Sequence, residues 1–276
     1  MDHKASMPVL IGKRLLLMLY ALFALFPLAW MIILSLKTQA EVLTTEFVFH
    51  PTFENYVTVI NGSSGVDYAT AFRNNLVVST LAVALSMVVG VPAAYALARF
   101  KFRGKENIAF TFLSFRFAPE LFVILPLFFI YQKLGLIGSY FGLIWVYQLI
   151  TLPLIIWVLR GFFEDIPREL DEAAQIDGCT WWQSFVQVML PLVRPGMVSA
   201  GLMSFIFAWN AFTFPLLLGG DLQTSTVAIL SYISSVTVNY GQVAAAATIS
   251  ILPSVVLALF VQKHLVRGLS FGAVKG

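Results

Sequence analysis

The segment RELDEAAQIDGCTWWQSFVQVMLP, from Arg168 to Pro191, is the part of the chain that decides the fold. It begins polar and acidic, becomes aromatic in its middle and ends on Leu-Pro, whereas the sequence on either side is strongly apolar. The segment is compatible with water, and it lies between two stretches that suit lipid. The sequence therefore predicts a helical segment that stands outside a membrane-embedded bundle.

The composition of the whole chain indicates a membrane protein. Of its 276 residues, 59% are hydrophobic and 11% are charged, whereas soluble proteins carry about 25% charged residues. The single cysteine, Cys179, excludes a disulfide framework within the chain. No Cys and His residues have metal-ligand spacing, and no basic stripe with interleaved aromatics indicates nucleic acid. We expect no catalytic residue, no metal site and no cofactor.

Six apolar stretches are long enough to cross a bilayer, which takes roughly 20 residues. They are Leu15–Leu36, Leu76–Leu97, Ile108–Tyr131, Tyr140–Leu159, Met197–Gly219 and Val243–Val261. The first has an apolar run about twice as long as a signal-peptide core, so we expect it to be retained as a span. Each stretch contains proline, which indicates either bent helices around a cavity or the usual abundance of proline in membrane helices.

The positions of Lys and Arg predict the orientation of these spans. Of the 17 such residues, 13 fall in segments that are cytoplasmic if the N-terminus is cytoplasmic, three fall in the opposite segments, and Arg116 lies within a span. Both termini are therefore expected inside. The predicted organisation is a cytoplasmic N-terminus (1–14), a six-helix domain (15–261) with a cytoplasmic loop over 160–195, and a cytoplasmic tail (262–276).

The cytoplasmic loop contains start and stop signals for a first short helix. Pro167 is suited to the first position of a helix, because its missing N–H is unpaired there in any case. Three carboxylates follow in the first turn, where they favour the helix dipole: Glu169, Asp171 and Glu172. Asp177-Gly178 predicts the end of this helix, with Gly178 free to adopt a positive φ.

A second helix is predicted to begin at Thr180, since Thr180 and Gln183 have the spacing of a capping box. Pro191 and Pro195 are expected to stop it before the fifth span. The loop is then a helix–turn–helix outside the membrane. Such an object either docks a partner or lies at the interface as an amphipathic helix, with its paired tryptophans at the headgroups.

The pattern Glu172-Ala173-Ala174, then Gly178, then Leu190-Pro191 resembles the EAA loop of ABC-importer permease subunits. The resemblance covers nearly the whole chain and is greatest to the carbohydrate-uptake branch, of the maltose-permease-G-like kind. The further segments that carry it are ENYVTVI (Glu54–Ile60), FRNNLVVST (Phe72–Thr80), YQKLGLIGSYFGLI (Tyr131–Ile144), LPLIIWVLRGFFEDIPREL (Leu152–Leu170) and RGLSFGAVKG (Arg267–Gly276).

This resemblance implies a type I ABC importer permease fold, with six transmembrane helices and a coupling helix that seats in a separate ATPase. The residues that would couple to the ATPase are Glu172, Ala173, Ala174, Gly178, Leu190 and Pro191. The chain has no phosphate-binding loop of its own, so it is not expected to be an enzyme. The implied partners are a second permease subunit, two ATP-binding subunits, an extracytoplasmic solute-binding protein and the lipid of a bacterial inner membrane.

Polar residues within the spans are candidates for the translocation path. Arg116 and Glu120 have the i, i+4 spacing of one helix face, and they either form an internal ion pair or line the path. Trp209 and Asn210 in the fifth span, with Tyr147 and Gln148 in the fourth, offer stacking and hydrogen bonds to a polyhydroxylated solute. The alternative for Asn210 is an amide clamp between helices.

The resemblance also bears on the solute and on the outer loops. The solute would be a sugar, an oligosaccharide or a polyol such as glycerol or its phosphate. In the maltose system the transmembrane sugar site lies mainly in the partner permease. The outer loop Gly220–Gln242 would reach into the binding protein, and Lys37–Asn75 would be a second contact with it.

Two other classes of function, a stand-alone secondary transporter and a membrane-embedded enzyme, require different sequence features. A stand-alone secondary transporter typically shows internal repeats and midplane ion sites, and no convincing inverted repeat relates spans one to three to spans four to six. A membrane-embedded enzyme needs a cluster of reactive side chains, which the sequence does not provide.

Overall fold

The computed structural model describes residues 7–62, 65–117, 119–233 and 238–272, with the side chains of 8–10, 116 and 261–272 left out. Regular structure in these ranges is helical, and the strand-like pairing found there is an isolated antiparallel bridge between Ile233 and Val238. The prediction of an all-α protein is confirmed.

The described α-helices are named in their order along the chain. In order they are α1 (Met7–Ser35), α2 (Glu54–Asn61), α3 (Tyr68–Arg99), α4 (Lys105–Ser114), α5 (Glu120–Leu134), α6 (Tyr140–Val146), α7 (Gln148–Asp165), α8 (Glu169–Ile176), α9 (Trp181–Gln183), α10 (Leu190–Trp209), α11 (Thr213–Leu218), α12 (Ser225–Ala228) and α13 (Tyr240–Gly272). Tight 3₁₀ turns cover Phe115–Phe117 and Ile229–Tyr232, and a wide π-helical turn covers Ser184–Met189.

Four described helices are long and apolar enough to cross a membrane, and a fifth is added if α6 and α7, bent by 41°, form one broken span. The four are Ile11–Ser35, Tyr68–Arg99, Trp181–Trp209 and Tyr240–Phe260. The predicted third span is the exception, because its helix is interrupted between Ser114 and Glu120. Pro119 lies at this interruption and has no N–H to continue a helix. The count of six spans stays a prediction.

The prediction that Pro191 and Pro195 stop the second loop helix is wrong. One helical segment continues from Trp181 to Trp209 and includes both prolines. A proline ring conflicts with the carbonyl four residues earlier, which for Pro191 belongs to Gln187 in the π-helical turn. Because that turn is wider than an α turn, it accommodates the ring, and the helix continues.

The chain divides into two compact units, and the first comprises Met1–Ala69 with Ala228–Ser250. Within it, none of the most apolar window of α1 is buried. Lys37, which follows α1, is fully buried. Its Nζ donates to the carbonyls of Thr44 (2.8 Å) and Glu46 (2.7 Å) and lies 5.3 Å from the ring centre of Trp30. These contacts tie the segment after α1 to the end of that helix.

The second unit comprises Thr70–Val227 with Ile251–Gly276, and its core joins α3, α7 and α10. The buried residues of this core are Val91, Ala94, Tyr95, Ala98, Ile155, Leu159, Phe163, Phe185, Met189, Val193 and Ala200. Phe185 and Met189 come from the π-helical turn, so the base of the predicted cytoplasmic loop is part of the same core as the long helices.

Close packing of α10 against α7 depends on Gly196. A Cβ added there would lie 2.6–2.8 Å from ring atoms of Phe162, whereas one added at Gly201 on the same helix would meet only the Sδ of Met87, at 4.0 Å. We expect Gly196→Ala to destabilise the protein by about 1–3 kcal/mol through overpacking, and Gly201→Ala to have little effect. Thermal unfolding of the purified protein in detergent measures both, and equal melting temperatures for the two variants would contradict this packing.

Candidate functional site

The first loop helix, α8, begins as the sequence predicts. It runs from Glu169 to Ile176, directly after Pro167 and Arg168, and its first turn holds the three predicted carboxylates. No side chain caps its N-terminus. The acidic first turn is therefore the feature that stabilises this end, through the dipole of the helix.

The C-terminus of α8 is closed by a Schellman motif. Gly178 has a φ of +90°, and its N–H donates to the carbonyl of Gln175 at 3.0 Å. The N–H of Cys179 donates to the carbonyl of Ala174 at 2.9 Å. These two bonds define the motif, and the prediction of a positive φ at Gly178 is confirmed.

Thr180 starts the next helix with the predicted capping box. The Gln183 N–H donates to the Thr180 Oγ1 at 3.3 Å, and the Thr180 N–H donates to the Gln183 Oε1 at 2.8 Å. The reciprocal pair satisfies two backbone donors at the helix start. Only two residues, Gly178 and Cys179, separate the end cap of α8 from this box, so the turn between the helices is fixed locally on both sides.

A buried ion pair that the sequence analysis missed holds α8 to α3. The Arg99 Nε lies 2.7 Å from the Asp171 Oδ2, and the two side chains are only 4% and 6% exposed. The Asp171 Oδ1 accepts hydrogen bonds from Tyr95 Oη (3.0 Å) and Ser184 Oγ (3.2 Å). Arg99 also donates to the carbonyl of Ile166 at 2.9 Å. Three segments of the chain, α3, α8 and the π-helical turn, therefore meet at one carboxylate, and the end of α7 joins them through Arg99.

The EAA pattern divides between the two faces of α8. Ala174 is buried like Asp171, one turn before it, whereas Glu172 and Ala173 are exposed. With Glu169 and Ile176 they have the i, i+3, i+4, i+7 spacing of one helix face, which we call the outer face of α8. Ile176 is 86% exposed. The outer face of α8 is therefore open to solvent or to a partner.

The other predicted coupling residues take two different positions. Gly178 is exposed directly after the outer face, and a Cβ placed there would meet no atom of the chain within 4 Å. Leu190 and Pro191 are half-buried at the start of α10, beyond the π-helical turn. The structure thus places Glu172, Ala173 and Gly178 at the exposed end of the loop, and it places Leu190 and Pro191 at its base.

Three of the predicted pathway residues are engaged inside the protein. Trp209 is 1% exposed and packs against the rings of Phe72 (5.1 Å) and Phe205 (5.8 Å). The Gln148 Nε2 donates to the carbonyls of Ala82 and Ile144, and its Oε1 accepts from Ser86. Tyr147 is fully buried. A role of these residues in the path stays a prediction.

Asn210 follows α10 and is exposed. Its Nδ2 donates to the carbonyl of Ile206 at 2.7 Å and to the Ser254 Oγ at 3.1 Å. Since Ser254 belongs to α13, this geometry is the amide clamp between helices that the sequence analysis held as the alternative.

The prediction that Arg116 and Glu120 share one helix face is wrong. Arg116 belongs to a 3₁₀ turn, and Glu120 is the first residue of the next helix. The side chain of Arg116 lies outside the described part of the structure. Glu120 is exposed and borders a cavity of ≈410 Å³ with Phe115, Phe207 and Phe214.

Metal binding finds no support in the described residues, where no three His, Cys, Asp or Glu side chains are grouped to hold an ion.

The outer loop Gly220–Gln242 is described except for residues 234–237, and it contains α12 and a 3₁₀ turn. Its predicted contact with a binding protein stays a prediction.

Long apolar helices with an anchored, partly exposed loop are typical of a multi-span membrane protein. Residues 86–271 match the family described as the binding-protein-dependent transport system inner membrane component. The chain belongs to this family of ABC importer permease subunits, which are non-catalytic components of the membrane channel.

Two relatives show that the resemblance extends over nearly the whole chain. The chain is 35% identical to the trehalose/maltose transport system permease protein of Thermococcus litoralis, over 96% of this chain and 98% of the relative. It is 33% identical to the diacetylchitobiose uptake system permease protein of Streptomyces coelicolor, over 94% and 87%. The predicted resemblance to the carbohydrate-uptake branch is confirmed.

A solved structure shows the same fold. The bacterial ABC transporter involved in the import of the acidic polysaccharide alginate contains a chain that superposes with a TM-score of 0.76, at 24% identity, over 95% of this chain and 98% of that one.

Proposed function

We propose that this chain forms one half of the translocation path of a binding-protein-dependent ABC importer for a sugar, an oligosaccharide or a polyol, and that it couples the path to a separate ATPase. The observation that carries the proposal is the two-faced helix α8. Its inner face is fixed to the bundle through the Asp171–Arg99 ion pair, and its outer face is exposed around Ile176. A force applied to the outer face is therefore transmitted to α3 through this ion pair. It is transmitted to α10 through the hydrogen bond between Asp171 and Ser184 of the π-helical turn that precedes α10.

The proposed partners follow from the family and from the exposed surfaces. Two ATP-binding subunits would engage the cytoplasmic loops, and an extracytoplasmic solute-binding protein would engage the outer segments Lys37–Asn75 and Gly220–Gln242. A second permease subunit, forming a heterodimer, would complete the path. None of the most apolar window of α1 is buried by the chain itself, which supports a cover of lipid or of that second subunit. The unequal distribution of Lys and Arg supports a cytoplasmic position for both termini.

The relatives favour a carbohydrate. The names of the two reported relatives state transport of trehalose, maltose and diacetylchitobiose, and these three sugars are the first solutes to test.

Reconstitution tests the proposal. The chain is co-expressed with the genes beside its own for a second permease, an ATPase and a binding protein, and the purified complex is placed in liposomes. We expect labelled sugar to accumulate only when ATP, the ATPase and the binding protein are all present. Accumulation by this chain alone, driven by an ion gradient without ATP, would instead establish the stand-alone secondary transporter.

A further inference from the structure

The α-helical backbone of the predicted third span is interrupted midway, between α4 and α5. The turn at Phe115–Phe117 and the residue Pro119 separate the two helices, and Phe117 is 78% exposed. Backbone without helical hydrogen bonds is tolerated at membrane depth only where it is covered by protein or borders a water-filled cavity. The interruption therefore does not face lipid.

The charge of Glu120 supports the same conclusion independently. Its carboxylate is exposed, and no Lys or Arg with a described side chain lies within ion-pair distance of it. A charge without a partner in the middle of a bilayer is costly. The positive end of α5, a helix of 15 residues, stabilises the carboxylate in part. Hydration, a bound solute or Arg116, whose side chain lies outside the described part of the structure, supplies the rest.

The cavity beside Glu120 has the size and lining of a small-molecule site. Its ≈410 Å³ lies within the range of roughly 300–1,000 Å³ that such sites occupy. The wall consists of the rings of Phe115, Phe207 and Phe214 together with aliphatic residues of α5 and α7, and Glu120 is its charged group. The lining thus combines one strong hydrogen-bond acceptor with aromatic faces.

A buried hydroxyl lies close to this cavity. Tyr147 follows α6 directly, its Oη is buried, and it has no hydrogen-bond partner among the described residues. It is near enough to Glu120 to interact with it electrostatically. Buried hydroxyls are nearly always satisfied, so the Tyr147 hydroxyl is an exception among the described residues, although Tyr147 does not itself line the cavity.

We propose that this cavity is a solute-binding subsite within this subunit, and that it takes one ring of a neutral sugar. Glu120 accepts hydrogen bonds from ring hydroxyls, and the phenylalanines pack against the C–H faces of the ring. The carboxylate repels solutes that carry their own carboxylate or phosphate. The inference rests on the proposed function, which it deepens by giving this subunit a direct contact with the solute and by defining the charge of that solute.

Cysteine protection tests the subsite. Because Cys179 is the only cysteine of this chain, Cys179→Ser gives a background in which Phe207→Cys places one thiol on the cavity wall. Phe122→Cys is the matched control, since Phe122 is exposed on α5 but does not line the cavity. Maleimide labelling of this subunit is followed in the complete detergent-solubilised complex, with the sugar that the reconstituted complex imports.

We expect the imported sugar to slow labelling at Phe207→Cys at least fivefold and to leave Phe122→Cys unchanged. Adding Glu120→Gln should weaken the protecting affinity about tenfold or more, as expected for loss of a hydrogen bond to a charged group. The uronic acid form of the same sugar should protect the thiol of Phe207→Cys poorly when Glu120 is present. It should protect that thiol better in the Glu120→Gln variant.

Three results would overturn parts of this scheme separately. Import without protection of Phe207→Cys would remove the subsite. Equal protection by the neutral and the acidic sugar would remove the assigned charge selectivity. No ATP-dependent import of trehalose, maltose or diacetylchitobiose would instead reject the sugar-importer function on which the inference rests.

Discussion

Asp171→Ala is expected to weaken the attachment of the predicted cytoplasmic loop by about 3–5 kcal/mol, since removing one partner of a buried ion pair leaves the other charge uncompensated. Arg99 is 4% exposed and would keep only the carbonyl of Ile166 as a described partner. Tyr95 and Ser184 would lose their shared acceptor. We expect lower thermal stability together with loss of sugar-stimulated ATP hydrolysis in the assembled complex.

Two further variants separate the ion pair from general damage to the loop. Asp177→Ala removes an exposed carboxylate from the end of the same helix and should leave both measurements near wild type. The double variant Arg99→Met/Asp171→Leu replaces the pair with apolar side chains, which often recovers the stability lost on breaking a buried pair. If Asp171→Ala and Asp177→Ala behave alike, the ion pair does not hold the loop.

Gly178→Asp is expected to leave the protein in the membrane but to lower ATP-driven uptake at least tenfold. A residue with a side chain is strained at the φ of +90° found here, at a cost of roughly 1–2 kcal/mol. The chain itself has room for the side chain, because an added Cβ meets no atom within 4 Å. The larger effect should come from a new charge placed in the contact with the ATPase.

Gly104→Asp is a closely matched control. Gly104 has a φ of +85°, it lies in another loop on the predicted cytoplasmic side, and its added Cβ also meets nothing within 4 Å. Backbone strain is therefore similar in the two variants, and only the position differs. Uptake and ATPase activity of the Gly178→Asp complex that match those of Gly104→Asp would reject the coupling role.

The local features of the loop could be predicted from sequence because each depends on a few neighbouring residues. The acidic first turn, the positive φ of Gly178 and the capping box of Thr180 all require only short spacings along the chain. The Asp171–Arg99 pair depends on two segments that are far apart in sequence. An acidic residue in a polar loop is ordinarily exposed, and only its i, i+3 spacing with the buried Ala174 indicated an inner face.

Prolines explain the two errors in helix boundaries. Pro119 interrupts its helix, whereas Pro191 and Pro195 do not interrupt theirs. The residues next to each proline do not distinguish these two outcomes. The difference arises from the π-helical turn before Pro191, which moves a carbonyl away from the ring. A wide turn of this kind depends on tertiary packing, here the burial of Phe185 and Met189 in the core. Hydropathy likewise cannot tell the packed Trp209 from a residue that lines a path.

The unbroken segment from Trp181 to Trp209 has a mechanical consequence. At about 1.5 Å per residue, its 29 residues form a rod some 40 Å long, with one end beside the turn after α8 and the other deep in the bundle. The backbone of this rod stays helical through the π-helical turn and past both prolines. If the proposed ATPase tilts the Trp181 end, we expect the Trp209 end to move sideways in proportion, so the movement of the ATPase would set the movement within the bundle.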